Sequence, residues 1–389
     1  MLPSNWQLLI HQTKMRLCNM KKLKVIVSGG GTGGHIFPAV SIANELKERV
    51  PDVDILFVGA LGKMEMERVP AAGYRIVGLP VVGFPRKPSF KMLTFFWKLF
   101  QSMRLANKVI VDFKPDVAIG VGGFASGPVL KAAVRKGVPA VLQEQNSYAG
   151  VTNKLLSAKV KKICVAYPNM DRYFPSDKIV MTGNPIRKNL IDAVVNKEEA
   201  YAFFNLKSDK PVVLLVGGSL GARTLNESVM AALELIRQTD AQVIWQTGSY
   251  YYREMLDRLG QNAPANLFPM EFVSRMDLAY AVADVVISRA GAGTISELCL
   301  LGKPSVLVPS PNVAEDHQTK NAMALVENQA ALLIKDADSK DNLFKETFNL
   351  LCDKQRLNSL SENILKLSRP NAAKDIVDVI LELVKDHKE

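Results

Sequence analysis

The chain has 389 residues, 48% of them hydrophobic, and its 49 Lys and Arg against 38 Asp and Glu give a formal net charge of +11 at pH 7. This length allows two domains with separate cores, and no apolar run approaches the roughly 18 residues of a membrane span. The charge favours an acidic partner: nucleic acid, anionic lipid or a phosphorylated small molecule. The cysteines are few and widely spaced, without a CxxC pair or a nearby histidine at metal-ligand spacing, so we expect reduced thiols in a cytosol, no metal and no cofactor.

The first 22 residues contain basic side chains and no acidic ones, and their apolar stretch from Trp6 to Ile10 is short. No small-residue cleavage site follows this stretch, so the segment does not match a signal peptide. Met20 directly precedes the first expected strand. We therefore expect residues 1–22 to be a poorly ordered leader.

Short apolar runs alternate with amphipathic stretches along the rest of the chain. The runs are KVIVSG, DILFVG, DVAIGVGG, AVLQEQN, PVVLLVGG, QVIWQTG, ADVVISRAG and PSVLVPSP. Continuous Val, Ile and Leu strands separated by helices indicate parallel sheets covered on both faces. A strand followed by a glycine-rich turn occurs early and again after Pro211. The sequence therefore predicts an α/β protein with two Rossmann-like domains, at 23–185 and 186–368, followed by a helix at 369–389 that packs on a domain surface.

The first glycine-rich turn follows the strand KVIVS. Gly29, Gly31 and Gly34 satisfy the pattern GxGxxG, in which bare backbone lets amide N–H groups approach a phosphate. The dinucleotide-binding interpretation lacks the acidic residue expected at the end of the second strand. The P-loop interpretation lacks its lysine, because His35 stands in that place. A turn needed only for close strand–helix packing stays possible, but GVGGFASGP and GGSLGAR repeat the pattern and favour a crevice that handles several phosphates.

The stretch SRAGAGTISE places small residues at a second-domain turn, with Glu297 entering the following helix. A carboxylate in a first helical turn interacts favourably with the helix dipole, which is the structural explanation. The functional explanation is that Glu297 accepts hydrogen bonds from a ribose while the helix N-terminus faces a diphosphate. The residues alone do not separate the two.

A basic aromatic segment runs from Arg68 to Val111 without any Asp or Glu. A basic segment with aromatic residues on one side is typical of a protein that rests on an anionic membrane surface without spanning it. The alternative is a helix whose apolar face is core. The proposed membrane contacts are Lys91, Phe95, Phe96, Trp97, Lys98 and Phe100.

Seven motifs together resemble one family: SGGGTGGHIFPA, GVGGFASGP, LQEQNSYAGVTNK, TGNPIR, GGSLGAR, SRAGAGTISE and PSPNVAEDHQTKNA. In this order they are similar to those of the bacterial undecaprenyl-diphospho-muramoylpentapeptide β-N-acetylglucosaminyltransferases, of glycosyltransferase family 28. The resemblance implies the GT-B fold, with the C-terminal helix crossing back to the first domain. It also implies inverting transfer of N-acetylglucosamine from UDP-N-acetylglucosamine to the muramoyl 4-hydroxyl of lipid I, giving lipid II, at the cytoplasmic face of the inner membrane.

The resemblance also implies site residues. Family logic gives the ribose hydroxyls to Glu297, the uracil to the backbone near Val273 and the sugar hydroxyls to Gln318. The full donor set is Thr32, Gly33, Gly34, Asn146, Arg187, Ser219, Val273, Ala292, Gly293, Thr294, Ile295, Ser296, Glu297 and Gln318. The acceptor diphosphate is expected on the loop residues Gly30, Gly31, Gly122, Gly123 and Ser126.

An inverting transfer needs a base near neutral pH, and imidazole suits that task. Of the four histidines, His11 lies in the leader, His387 lies at the C-terminus and His317 stands beside Gln318. His35 stands where the first glycine-rich turn becomes a helix, so we predict that it is the base. The alternative roles for His35 are a hydrogen bond to its own loop or a contact with substrate phosphate.

Three other functions compete with this interpretation. A UDP-N-acetylglucosamine 2-epimerase has the same fold and donor but no use for the basic aromatic segment. A pyridine-nucleotide dehydrogenase is disfavoured by the missing acid after the second strand. A nucleic-acid-binding module would explain the charge, but no recognisable nucleic-acid motif accompanies it, so we expect no nucleic-acid partner.

Overall fold

The computed structural model describes residues 22–83, 91–191, 195–218 and 220–387. Residues 1–21 of the expected leader and the proposed donor residue Ser219 lie outside this part of the chain. Within the residues that the structure describes, no helix has the length and apolar character needed to cross a bilayer.

The first domain is built on a seven-stranded sheet of order β3-β2-β1-β4-β5-β6-β7, in which every pair is parallel. Its central strands are apolar on both sides because helices cover both faces of the sheet. The strands are β1 Lys24–Ser28, β2 Asp54–Ala60, β3 Arg75–Leu79, β4 Val117–Gly120, β5 Ala140–Glu144, β6 Lys162–Val165 and β7 Ile179–Met181. The helices are α1 Gly33–Arg49, α2 Glu65–Ala71, α3 Lys91–Phe113, α4 Ser126–Arg135 and α5 Val151–Leu156, with short 3₁₀ turns at Met170–Arg172 and Ser176–Lys178.

The second domain repeats the design with a six-stranded parallel sheet of order β10-β9-β8-β11-β12-β13. Its strands are β8 Val212–Val216, β9 Gln242–Gln246, β10 Leu267–Met270, β11 Val285–Ser288, β12 Ser305–Leu307 and β13 Leu332–Leu333. The helices from the domain crossing onward are α6 Lys188–Ile191, α7 Lys197–Phe203, α8 Arg223–Ala231, α9 Leu233–Arg237, α10 Tyr252–Leu259, α11 Met276–Val282, α12 Ala292–Leu301, α13 His317–Val326, α14 Ser339–Cys352 and α15 Lys354–Lys366. Short 3₁₀ turns lie at Gly260–Asn262, Ala314–Asp316 and Asp336–Asp338.

The last helix, α16 Ala372–Asp386, returns to the first domain. Ile376 and Ile380 are completely buried, in the same core cluster as Val25 and Val27 of β1. The predicted fold class, with two parallel-sheet domains and a C-terminal helix that crosses back, is confirmed. The boundary at residue 186 stays a prediction.

Candidate active site

The glycine-rich turns lie where open α/β sheets place their ligands, at the carboxyl ends of β1, β4 and β8. The two domains meet at the same level through polar side chains. The Ser147 backbone N–H donates to Asn321 Oδ1 at 2.9 Å, and Asn184 Nδ2 donates to Ser296 Oγ at 3.1 Å. The strand ends of both sheets therefore face a shared cleft.

The first two glycine-rich turns touch each other through their backbones. A Cβ on Gly123 would lie 2.3 Å from the Gly30 carbonyl oxygen, so a side chain there would separate the two loops. Gly31 and Gly123 also have positive φ angles of 89° and 84°, which side chains disfavour. Ser126 Oγ donates to the Gly123 carbonyl at 3.1 Å, which ties the second loop to the start of α4.

A buried carboxylate that the sequence analysis missed lies beneath the first loop. Glu65, at the start of α2, accepts hydrogen bonds from the backbone N–H of Gly31 at 2.8 Å and of Ala60 at 2.9 Å. The strand β2 does end, at Ala60, without an acidic residue. Glu65 follows five residues later and reaches the first glycine-rich loop. Because Glu65 already takes the Gly31 N–H, that amide is not available to a substrate phosphate in this conformation.

The proposed base, His35, is the third residue of α1 and lies between the two loops. Its Nδ1 is 3.0 Å from the Gly30 carbonyl oxygen, which can only accept, so Nδ1 carries the proton and Nε2 keeps a lone pair. A Cβ on Gly122 would lie 2.7 Å from Nε2, so glycine is required for the loop to approach the ring. The hydrogen bond to Gly30 is one of the alternative roles named above for His35. It uses only one ring nitrogen, Nδ1.

Enclosure by the protein lowers the pKa of His35 below 6.5, because burial disfavours the charged ring. The carboxylate of Glu144 opposes this change, and His317 from the second domain adds to it. His35 is therefore neutral at pH 7, as a general base must be. His317 is the first residue of α13, so its effect on the pKa of His35 also indicates that the start of α13 lies near the proposed base.

Glu297 lies in the second turn of α12, because that helix begins at Ala292. The expectation of a first-turn carboxylate was wrong, and the dipole explanation that depended on it loses its basis. The Glu297 side chain accepts from Arg187 Nη2 at 2.8 Å and from the Tyr280 hydroxyl at 3.0 Å. Arg187 Nε also donates to the same oxygen, Oε1, at 3.2 Å, so the lone pair that a ribose hydroxyl could use lies on Oε2, beside the Tyr280 hydroxyl.

Arg187 connects this carboxylate to the first domain. Its guanidinium lies 5.5 Å from the ring centroid of Phe37, an exposed residue on the first turns of α1. The helix that carries His35 is thus adjacent, through Phe37, to the Arg187–Glu297 ion pair.

The other proposed donor residues that the structure describes lie on several elements of both domains. Asn146 Oδ1 accepts from Asn321 across the cleft at 3.1 Å, and Gln318 Oε1 accepts from the Ser310 N–H at 2.8 Å. Val273 is buried, and its N–H donates to Gln246 Oε1 at 3.2 Å. Thr32 is at the N-cap position of α1. The remaining donor residues lie at the starts of α1 and α12: Gly33, Gly34, Ala292, Gly293, Thr294, Ile295 and Ser296.

The basic aromatic segment contains the helix α3. Val109 and Ile110, on its inner side, are buried in the core of the first domain. Phe96, Trp97 and Phe100, by contrast, have exposed fractions of 55%, 62% and 52%. Trp97 stacks on Phe100, and the exposed Lys98 lies beside them. Phe95 is half-buried and packs edge-on against Phe96, so it contributes less to the exposed face than the sequence suggested.

Two Rossmann-like sheets that face a cleft, with a C-terminal helix that crosses back, are the GT-B arrangement, which nucleotide-sugar transferases share with some epimerases. Residues 25–165 match the glycosyltransferase family 28 N-terminal domain, and residues 212–377 match the glycosyltransferase family 28 C-terminal domain. The structure is similar to crystal structures of Acinetobacter baumannii MurG (TM-score 0.75, 30% identity, 92% of this chain and 99% of that one) and of a UDP-GlcNAc 2-epimerase from Neisseria meningitidis (TM-score 0.65, 15% identity, 93% and 100%). The second likeness shows the fold alone.

Comparison with curated relatives identifies the family more narrowly than the fold does. The chain is 56% identical to the UDP-N-acetylglucosamine–N-acetylmuramyl-(pentapeptide) pyrophosphoryl-undecaprenol N-acetylglucosamine transferase of Parabacteroides distasonis, over 94% of this chain and 99% of the relative. It is 50% identical to the protein of the same name from Flavobacterium psychrophilum, over 95% and 100%. The chain belongs to this family of N-acetylglucosamine transferases.

Proposed function

We propose that this protein transfers N-acetylglucosamine from UDP-N-acetylglucosamine to the muramoyl 4-hydroxyl of lipid I, forming lipid II for peptidoglycan. The observation that carries the proposal is the 56% identity to a relative of that name over almost its whole length. The cleft supports it, because the proposed base and the proposed ribose site are on adjacent elements. His35 is on α1, and α1 contacts Arg187, which pairs with Glu297.

In the proposed reaction, His35 Nε2 takes the proton from the acceptor hydroxyl as the hydroxyl oxygen attacks the anomeric carbon. The bond from that carbon to the UDP oxygen breaks, and UDP leaves with the electron pair. The hydrogen bond from Nδ1 to Gly30 fixes the ring orientation and the neutral tautomer. Glu297 holds the ribose, and the first turn of α12 faces the diphosphate, where helix N–H groups favour negative charge.

The exposed face of α3 supports a peripheral location on an anionic membrane, at the cytoplasmic side where the lipid acceptor would be reached. Phe96, Trp97 and Phe100 offer apolar area, and basic residues beside them offer charge. We infer that this face rests in the lipid interface, and that the protein serves cell-wall growth, cell shape and division from there. The partners are then the two substrates and the membrane surface.

The deciding experiment is incubation with radiolabelled UDP-N-acetylglucosamine and a lipid I analogue, followed by chromatography of the lipid fraction. We expect label in a product that forms only when the acceptor is present. An epimerase would instead convert the nucleotide sugar without acceptor, and that result would contradict the proposal.

A further inference from the structure

A cavity, called the hinge cavity here, lies between the domains on the side where the chain crosses from one to the other. Its volume is about 510 Å³, within the range of small-molecule sites. Gly183 and Asn184 of the first crossing and Leu367 and Arg369 of the second lie in its wall. His35 and Glu297 are not among its lining residues. Of the proposed donor residues that the structure describes, Ile295 and Ser296 of α12 alone border it.

The wall of this hinge cavity is more apolar than polar. The apolar part includes Ile186, Ile295 and Met323. Tyr167 also lines the cavity with an exposed fraction of 8%, and its hydroxyl has no hydrogen-bond partner among the described residues. That hydroxyl oxygen has almost no accessible surface, so other atoms of Tyr167 border the cavity.

The charges around the cavity favour an anion. Four cations line it, and within the described ranges none of them forms an ion pair with a carboxylate: Arg172, Lys320, Lys366 and Arg369. Three of the four make hydrogen bonds to neutral oxygens, as when Arg172 donates to the Ser147 carbonyl at 3.1 Å. Glu327 is the single acidic residue in the wall. A phosphate or carboxylate would therefore meet uncompensated positive charge.

We propose that the hinge cavity binds a small molecule that has an apolar body and one anionic group, separately from both substrates of the transfer reaction. The apolar body contacts the walls, and the cations hold the anionic group. Both domains supply walls, since Tyr167 belongs to the first domain and Met323 to the second. An occupant consequently favours the domain spacing of this structure over a wider one.

The test is a titration of the full chain with anilinonaphthalene sulfonate, an anion with an apolar body, followed by calorimetry and fluorescence. Saturating UDP occupies the donor site, and the changes Phe96→Ser, Trp97→Ser and Phe100→Ser remove the exposed face of α3 as a second place for the dye. We expect one site per chain, and binding of the neutral analogue phenylnaphthylamine weaker by about tenfold or more, the loss of a charge-assisted contact.

Three variants locate the site. Ala324→Phe fills the cavity and should abolish dye binding. The double change Arg172→Gln with Arg369→Gln should weaken dye binding about tenfold. The control is Lys354→Gln with Arg356→Gln, an equal charge change on exposed residues outside the cavity, and it should leave dye binding unchanged. Tyr167→Phe removes only an enclosed hydroxyl from the wall, so it should leave dye binding unchanged. Dye binding that survives Ala324→Phe, or equal affinity for the neutral analogue, would overturn the proposal.

Discussion

His35 is held with its proton on Nδ1 and its lone pair on Nε2, facing the loop that contains Gly122. We predict that His35→Ala lowers turnover by roughly 10² to 10⁴, the usual loss when a general base is removed. The affinity for UDP should stay unchanged, because the ring does not touch the proposed ribose site. Steady-state kinetics and calorimetry on the same preparation measure both. Normal turnover, or loss of acceptor affinity alone, would make His35 a binding residue.

The pH profile gives a second prediction for His35. Because burial lowers its pKa below 6.5, the ring is neutral at pH 7 and gains a proton only at lower pH. The acidic limb of kcat/KM should therefore lie below pH 6.5 and should vanish in His35→Ala. A limb above pH 6.5 that persists in the variant would assign the base to another group.

Glu297 is predicted to hold the ribose, and the structure adds the ion pair with Arg187. Glu297→Ala should weaken UDP binding by about 1.5 to 3 kcal/mol, the value of a hydrogen bond to a charged group. Glu297→Gln should lose less. Tyr280→Phe is the matched control, since it removes a donor to the carboxylate but leaves the carboxylate in place. Unchanged calorimetric affinity in Glu297→Ala would exclude the assignment.

Glu65 accepts two backbone N–H groups, so its amide analogue cannot replace it. In Glu65→Gln one oxygen becomes an NH₂ group that faces a donor, and we expect a loss of about 1 to 3 kcal/mol in the free energy of unfolding. Turnover should also fall, because the loop beside His35 shifts. Glu67→Gln, an exposed change on the same helix, should do neither in urea unfolding and activity assays.

Glu65 also shows why part of the site could not be predicted from sequence. The glycine-rich turns, His35 and Glu297 could be proposed from the sequence because each stands in a local pattern. The bond between Glu65 and Gly31 joins residues 34 positions apart and exists because β1 and β2 are neighbours in the sheet. Spacing along the chain does not reveal such a contact before the strand order is known.

Among the elements, the strands with continuous apolar runs were predicted and five others were missed. Four of the missed strands, β3, β7, β10 and β13, are the edge strands of the two sheets. Each of these four strands has only two to five residues, so none forms the long continuous apolar run that marks a buried central strand. The fifth, β6, is central but begins with Lys162 and is only four residues long.

The helix α3 carries its own prediction. Replacing Phe96, Trp97 and Phe100 with serine should reduce binding to anionic vesicles by about 100-fold or more, given roughly 25 cal/mol per Å² of apolar area. Activity on a short-chain soluble acceptor should persist, because these side chains are exposed and lie outside the cleft. Vesicle sedimentation measures the binding. Phe203→Ser with Leu365→Ser, two exposed apolar positions elsewhere, is the control and should bind normally.

At the scale of the whole molecule, α16 links the end of the chain to the first sheet. Ile380 is completely buried there, so Ile380→Ala should lower the free energy of unfolding of the first domain by about 2 to 5 kcal/mol. Amide hydrogen exchange in β1 should accelerate while UDP affinity in the second domain is retained. Glu382→Ala, exposed on the same helix, should have no effect. Equal protection of β1 in the two variants would show that α16 adds little to this core.

The crossing of α16 also has a consequence for biosynthesis. A ribosome makes the chain from its N-terminus, and domains generally fold as units while they emerge. Here the first domain to emerge lacks part of its core until Ile376, Val377 and Ile380 have been translated, after the whole of the second sheet. The second domain can complete its sheet earlier than the first. A nascent chain truncated before residue 372 should therefore present an open apolar surface along β1 and α1, which is a natural target for a chaperone or a quality-control protease.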